Sequence, residues 1–151
     1  MKKIILAVAA IFVMATATQA QDSFSKGSLV GTIGVGFGAT YGVPISGALD
    51  WSVVNLWDDK SNLGLGVIVG LGLGSDHTWC LVGGRASLHY QFVDKLDTYL
   101  GLTLGYLVTG ESGFGWDAYL GARYYFWDNI GLFAELGAGW SNVTLGVSFK
   151  F

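Results

Sequence analysis

The feature that most restricts what this chain can fold into is an alternation of apolar with small or polar residues that returns in eight segments between residues 28 and 151. Its clearest instance closes the chain. Val143, Leu145, Val147, Phe149 and Phe151 take one set of alternate positions, and Asn142, Thr144, Gly146, Ser148 and Lys150 take the other. Successive side chains of an extended strand point to opposite faces, so a period of two makes one oily face and one that is not. Leu63, Leu65, Val67, Val69, Leu71 and Leu73 repeat the pattern against a mostly glycine face. Leu100, Leu102, Leu104 and Tyr106 repeat it against Tyr99, Gly101, Thr103 and Gly105. Short clusters of Asp, Asn, Ser, Gly and Lys separate the segments, which places strands at 28–38, 45–54, 63–74, 79–92, 97–108, 114–126, 130–140 and 142–151. Strands of about 10–13 residues, rising ~3.3 Å per residue at a tilt of ~40°, cross an apolar band of ~25 Å.

Residues 1–20 are set apart from this pattern. Lys2 and Lys3 precede an apolar run from Ile4 to Met14, and Thr18-Gln19-Ala20 offers small residues where a signal peptidase reads. The expected organisation is therefore a cleaved leader at 1–20, a periplasmic lead-in at 21–27 and one domain at 28–151. The remaining chain is rich in glycine and aromatic residues, 13% of the whole sequence is charged, and mean hydropathy is +0.50. That charge fraction is about half of what a water-soluble domain carries. Yet glycine and polar residues interrupt every apolar run before the ~20 residues that a transmembrane helix needs. High hydropathy without a helical span points to strands. Without Lys2 and Lys3 the chain carries six basic and eleven acidic residues and no basic cluster, which argues against nucleic acid as a partner.

Two closed eight-stranded barrels fit the alternation: a soluble one with an apolar lumen, and a transmembrane one with an apolar exterior. The less apolar face here is built from Gly, Ser, Thr and Tyr with few charges, which suits the filling of a narrow lumen better than a surface in water. The expected fold class is therefore all-β, an eight-stranded antiparallel up-and-down transmembrane barrel. Aromatic residues collect at strand ends, with Phe37, Tyr106, Phe114, Trp116 and Trp140 near one end and Tyr90, Phe92, Tyr124, Phe126, Phe149 and Phe151 near the other. They are expected to form the two interfacial girdles of such a barrel. An even strand number puts both termini on the periplasmic side, with turns at 55–62, 93–96 and 127–129. Short outer loops are expected near 39–44, 75–78, 109–113 and 141.

Five charges fall on the expected lumenal face: Asp50, Arg85, Asp117, Arg123 and Glu135. Counting register through the turns puts Asp50 beside Gly66 or Ile68, and Arg85 against the same pair. It then puts Arg85 opposite Gly105, and Gly105 opposite Asp117. The expectation is a network of Asp50, Arg85 and Asp117, with Arg123 and Glu135 as a second pair, because a buried guanidinium needs carboxylates to satisfy its donors. A network of this kind can gate a path or simply fill the barrel, and the narrow lumen of eight strands favours filling.

Catalytic and metal sites find less support. Ser75, Asp76 and His77 are triad residue types, but three consecutive loop residues cannot converge as a triad must. Ser87 and His89 share the lumenal face at a spacing of ~7 Å, facing the filled interior. The run Gly34-Val35-Gly36-Phe37-Gly38-Ala39 leads into no helix and does not cradle phosphate. His77 alone cannot hold a metal, and Cys80, the one cysteine, is expected to face lipid near the outer rim. No cofactor is expected.

The C-terminal half carries a resemblance in Ala122-Arg123-Tyr124-Tyr125-Phe126, in the run from Asn129 to Gly137, and in Leu145-Gly146-Val147-Ser148-Phe149-Lys150-Phe151. Over about residues 98–151 it resembles the outer membrane β-barrel domain proteins of Bacteroidota, small OmpA/OmpX-like barrels. Before residue 98 the likeness is architectural. The resemblance implies insertion by the barrel assembly machinery, which reads a last strand such as Val143, Leu145, Val147, Phe149 and Phe151 with its aromatic terminus. It implies no substrate. The expectation is a monomeric, non-catalytic barrel among outer-membrane lipid and lipopolysaccharide, contributing to envelope integrity. A narrow channel for small polar solutes and a lipid A-modifying enzyme are the alternatives.

Overall fold

The computed structural model describes residues 24–38, 42–57, 60–74, 78–108 and 112–151. The expected leader at 1–20, the lead-in residues 21–23 and the loop residues Ser75, Asp76 and His77 lie outside the described residues. Eight strands follow in chain order: β1 (Leu29–Phe37), β2 (Val43–Asn55), β3 (Ser61–Leu73), β4 (Thr78–Val93), β5 (Leu96–Val108), β6 (Gly113–Tyr125), β7 (Ile130–Gly137) and β8 (Val143–Lys150). Each pairs antiparallel with its neighbours, and β1 pairs with β8 from Val30↔Lys150 to Phe37↔Val143. The sheet thus closes into a barrel and leaves no open edge. The strand bounds follow the alternation to within a few residues. The largest departure is β7, which stops at Gly137 because the chain turns there: Asp117 Oδ1 accepts from Ala138 N at 2.8 Å, and Gly137 N donates to the Asn142 carbonyl at 3.0 Å.

The two faces divide as the alternation requires. Leu65, Val67, Val69, Leu71, Leu100, Leu102, Leu104, Leu132 and Leu145 point outward and are exposed, whereas Asp50, Arg85, Tyr99, Thr103, Tyr119 and Arg123 point inward and are buried. Apolar outside and polar inside is the arrangement of transmembrane barrels and the reverse of a soluble one. Exposed aromatics stand at both ends of the barrel, Phe37, Tyr106, Phe114 and Trp116 at one, and Tyr90, Phe92, Tyr124 and Phe126 at the other. Trp57 and Trp127, in the turns at the terminal end, add to the second set. Trp140 departs from the expected girdle. It packs inside the mouth against the cluster of Ala48, Ile68, Trp79 and Leu81, because the turn after β7 folds it inward and its ring lies on Gly115, where a Cβ would come within 2.9 Å.

Residues 24–28 also belong to the interior. Gly27, at φ +90°, adopts a conformation that L side chains avoid and turns the chain into the barrel mouth, where its N–H bonds the Ser52 carbonyl at 2.9 Å. Phe24 is thereby buried.

Large inward side chains fit the narrow lumen because glycines face them across the wall. Tyr99 lies on Gly121, Tyr119 on Gly101 and Trp79 on Gly72, each so closely that a Cβ on the glycine would overlap the ring. A Gly121→Val substitution therefore forces Tyr99 out of place. It is expected to lower folding stability by about 1–3 kcal/mol, measured by urea unfolding in detergent or liposomes. The outward-facing substitution Leu120→Val on the same strand is expected to change it far less.

Candidate functional site

Charged side chains gather in the lumen, where strand register and closure of the barrel bring them together. Asp50 of β2 pairs with Gly66 of β3, which pairs with Arg85 of β4. The glycine between them leaves the carboxylate and guanidinium in reach of each other, and Arg85 Nε lies 3.2 Å from Asp50 Oδ1. Arg85 Nη2 donates to Glu135 Oε1 at 2.7 Å, and Arg85 Nε donates to the Tyr119 hydroxyl at 2.9 Å. The guanidinium carbon stands 4.1 Å from the centre of the Tyr119 ring. The Tyr99 hydroxyl donates to the same Glu135 oxygen at 2.8 Å.

Arg123 reaches the other oxygen of Asp50 through Nη2 and lies 3.6 Å from Asp97 Oδ2 through Nη1, with its guanidinium over the Tyr99 ring. Asp50 and Arg123 are both fully buried. A desolvated charge of this kind is tolerated only when paired and hydrogen-bonded, so the carboxylate shared by two arginines is the centre of the interior.

Register differs from the sequence count in two hairpins. Arg85 pairs with Thr103, not Gly105, and Thr103 pairs with Asp117. The β4–β5 turn takes only Asp94 and Lys95, with Lys95 at φ +66°, and an irregularity between Tyr90 and Val93 shifts the ladder. A slip of two residues keeps every side chain on its face and moves only its row. The two slips cancel and leave Asp117 in the row of Arg85, but Thr103 stands between them where the count put a glycine; Asp117 bonds the Ala138 backbone and makes no ion pair with Arg85. The expected Arg123 and Glu135 pair is likewise replaced. Arg123 stands opposite Phe133 and Glu135 opposite Gly121, and the two side chains cross the lumen to Asp50 and Arg85 instead of following the wall.

A second cluster was only half visible in the sequence. Ser87 Oγ and His89 Nε2 are 2.7 Å apart, although their positions on β4 are separated by the usual two-residue step. The imidazole leans along the strand toward Ser87 over Gly64, where a Cβ would come within 2.9 Å of both atoms. His89 Nδ1 lies 2.9 Å from both oxygens of Asp97 on β5. Nδ1–H donates to Asp97, and Nε2 meets the Ser87 hydroxyl, which can donate or accept. Serine, histidine and aspartate therefore stand in the order of a hydrolytic triad. The surroundings differ from those of a nucleophile. Phe24 stacks on the imidazole at 4.0 Å, its carbonyl accepts from Asn62 Nδ2 at 2.7 Å, and all three triad-like residues are buried. A lumenal cavity of about 40 Å3 opens toward the opposite mouth, and none of the three lines it. The cluster ties β4 to β5 and seats Phe24. Among the described residues no group of three or more His, Cys, Asp or Glu is placed to hold a metal ion.

No protein-family model and no curated protein matches the chain. Solved structures do. A de novo designed transmembrane β-barrel is 18% identical, with a TM-score of 0.62 over 89% of this chain and all of that one. The N-terminal β-barrel domain of Pseudomonas aeruginosa OprF is also 18% identical, with a TM-score of 0.59 over 84% of this chain and 99% of that one. Ail, the attachment invasion locus protein of Yersinia pestis, is 12% identical, with a TM-score of 0.50 over 82% of this chain and 95% of that one. The fold is thus the eight-stranded closed barrel found in outer-membrane proteins.

Replacing Arg85 with Ala leaves Asp50 and Glu135 desolvated without their shared cation. The expected cost is about 3–5 kcal/mol in urea unfolding, with a smaller loss for Arg85→Lys, which keeps the charge but not the fork of donors.

Proposed function

We propose that this protein is an integral outer-membrane barrel with a structural role in the envelope, non-catalytic and closed to solutes. One observation carries the reading. The lumen is crossed by the ion pairs from Asp50 to Arg85 and Arg123 and from Arg85 to Glu135, and the space beside them measures only about 40 Å3. That volume has room for roughly three water-sized groups, which supports a filled lumen over a continuous aqueous path. The reading includes export by a cleaved leader, both termini in the periplasm, lipid and lipopolysaccharide around the apolar wall, and a monomeric state. It also includes insertion by machinery that recognises the last strand, and membership of the Bacteroidota-type barrels that residues 98–151 resemble.

Reconstitution in planar bilayers tests the closed lumen. The expected result is a silent membrane, and stable single-channel steps would favour a narrow channel in its place. Overexpression is expected to leave the mass of lipid A unchanged, whereas a lost or added acyl chain would establish an enzyme. The membrane placement has its own test in Leu102, which points outward from the middle of β5. Leu102→Arg is expected to destabilise the barrel in liposomes by about 2–4 kcal/mol.

A further inference from the structure

The mouth opposite Phe24 and Phe151 is built differently from the rest of the lumen. Its cavity of about 40 Å3 is lined by the rings of Trp79 and Trp140 near the rim and by Asp117, Tyr119 and Glu135 deeper in. Trp140 lays its benzo edge on Gly115, which turns its Nε1 edge away from that wall, and Nε1 is buried without a hydrogen-bond partner.

Among the described residues, charge is out of balance at this mouth. Among the described residues the inward carboxylates are Asp50, Asp97, Asp117 and Glu135, and the inward cations are Arg85, Arg123 and Lys150. Asp50 holds both arginines, Asp97 faces Arg123 and His89, and Glu135 holds Arg85. Lys150 belongs to the opposite mouth, near the Tyr125 ring. Asp117 is left with backbone N–H partners and, among the described residues, no cation within ion-pair distance, although it is only 7% exposed. A carboxylate so far removed from water is stabilised by a counter-charge, and indole faces attract cations. Indoles offer no oxygen to a metal ion, whereas an ammonium group suits both the rings and the carboxylates. The Arg85 guanidinium does not repel such a guest strongly, because Asp50 and Glu135 already neutralise it in contact.

We propose that this mouth binds a small organic ammonium cation, held by the carboxylates of Asp117 and Glu135 between the rings of Trp79 and Trp140. This goes beyond a structural role and stands whether or not the lumen conducts.

Methylammonium is the probe. The full mature chain, 15N-labelled in detergent micelles, is titrated with methylammonium chloride and, separately, with sodium chloride at the same ionic strength, while the indole N–H signals are followed. Trp79→Phe and Trp140→Phe identify the two signals. The expected result is a saturable shift of these two resonances with methylammonium and none with sodium, weakened roughly tenfold or more in Asp117→Asn. Asn can still accept from the Ala138 N–H, so that variant keeps its local backbone contact. Equal responses to both salts, a shift that never saturates, or undiminished binding by folded Asp117→Asn would overturn the proposal. Should Asp117→Asn fail to fold, the comparison of the two salts on the native chain decides alone.

Discussion

A single carboxylate holds the interior of this barrel together. Asp50 on β2 touches Arg85 on β4 and Arg123 on β6, so one side chain links alternate staves across the lumen. Backbone hydrogen bonds close the wall, but they join only adjacent strands. The ion pairs reach across, and in a desolvated lumen their removal one partner at a time is costly because the others are left without water. The tyrosines complete the arrangement: Tyr99 and Tyr119 each offer a hydroxyl to the network and a ring face to a guanidinium. Opposite each ring stands a glycine, so the same residues that make the sequence look permissive are those that let the centre pack.

From that centre the lumen differs toward its two ends. Toward the termini it stays polar, with Ser52, Asn62, Ser87, His89 and Asp97 under the ring of Phe24. Toward the other mouth it becomes aromatic and apolar, with Ala48, Ile68, Trp79 and Leu81 above the carboxylates. The outer wall shows no such gradient and is apolar along the middle of every strand.

The fold was legible in the sequence because a period of two depends only on local geometry, and its eight repeats leave little choice of architecture. The row of Asp50, Gly66 and Arg85 was legible too, since a hairpin fixes register near its turn. Legibility failed where a bulge intervened after Tyr90, because one extra residue in a strand leaves no mark in the alternation around it. Contacts across the lumen were hidden for a different reason. Arg85 with Glu135, and Arg123 with Asp50, are neighbours only after the barrel closes, and counting along the wall cannot bring them together. Asp97 was missed because it lies one residue inside β5, next to a turn where polar residues are ordinary. Phe24 preceded the first strand and carried no periodic signal.

Phe24 also sets an order of events. Its ring needs His89 of β4 and its carbonyl needs Asn62 of β3, while the turn behind it needs Ser52 of β2. These partners are brought side by side only when β2, β3 and β4 have paired, so Phe24 reaches its final position after that part of the sheet has formed. Phe24 is thus a latch on a wall that must already exist, and not a nucleus for building it.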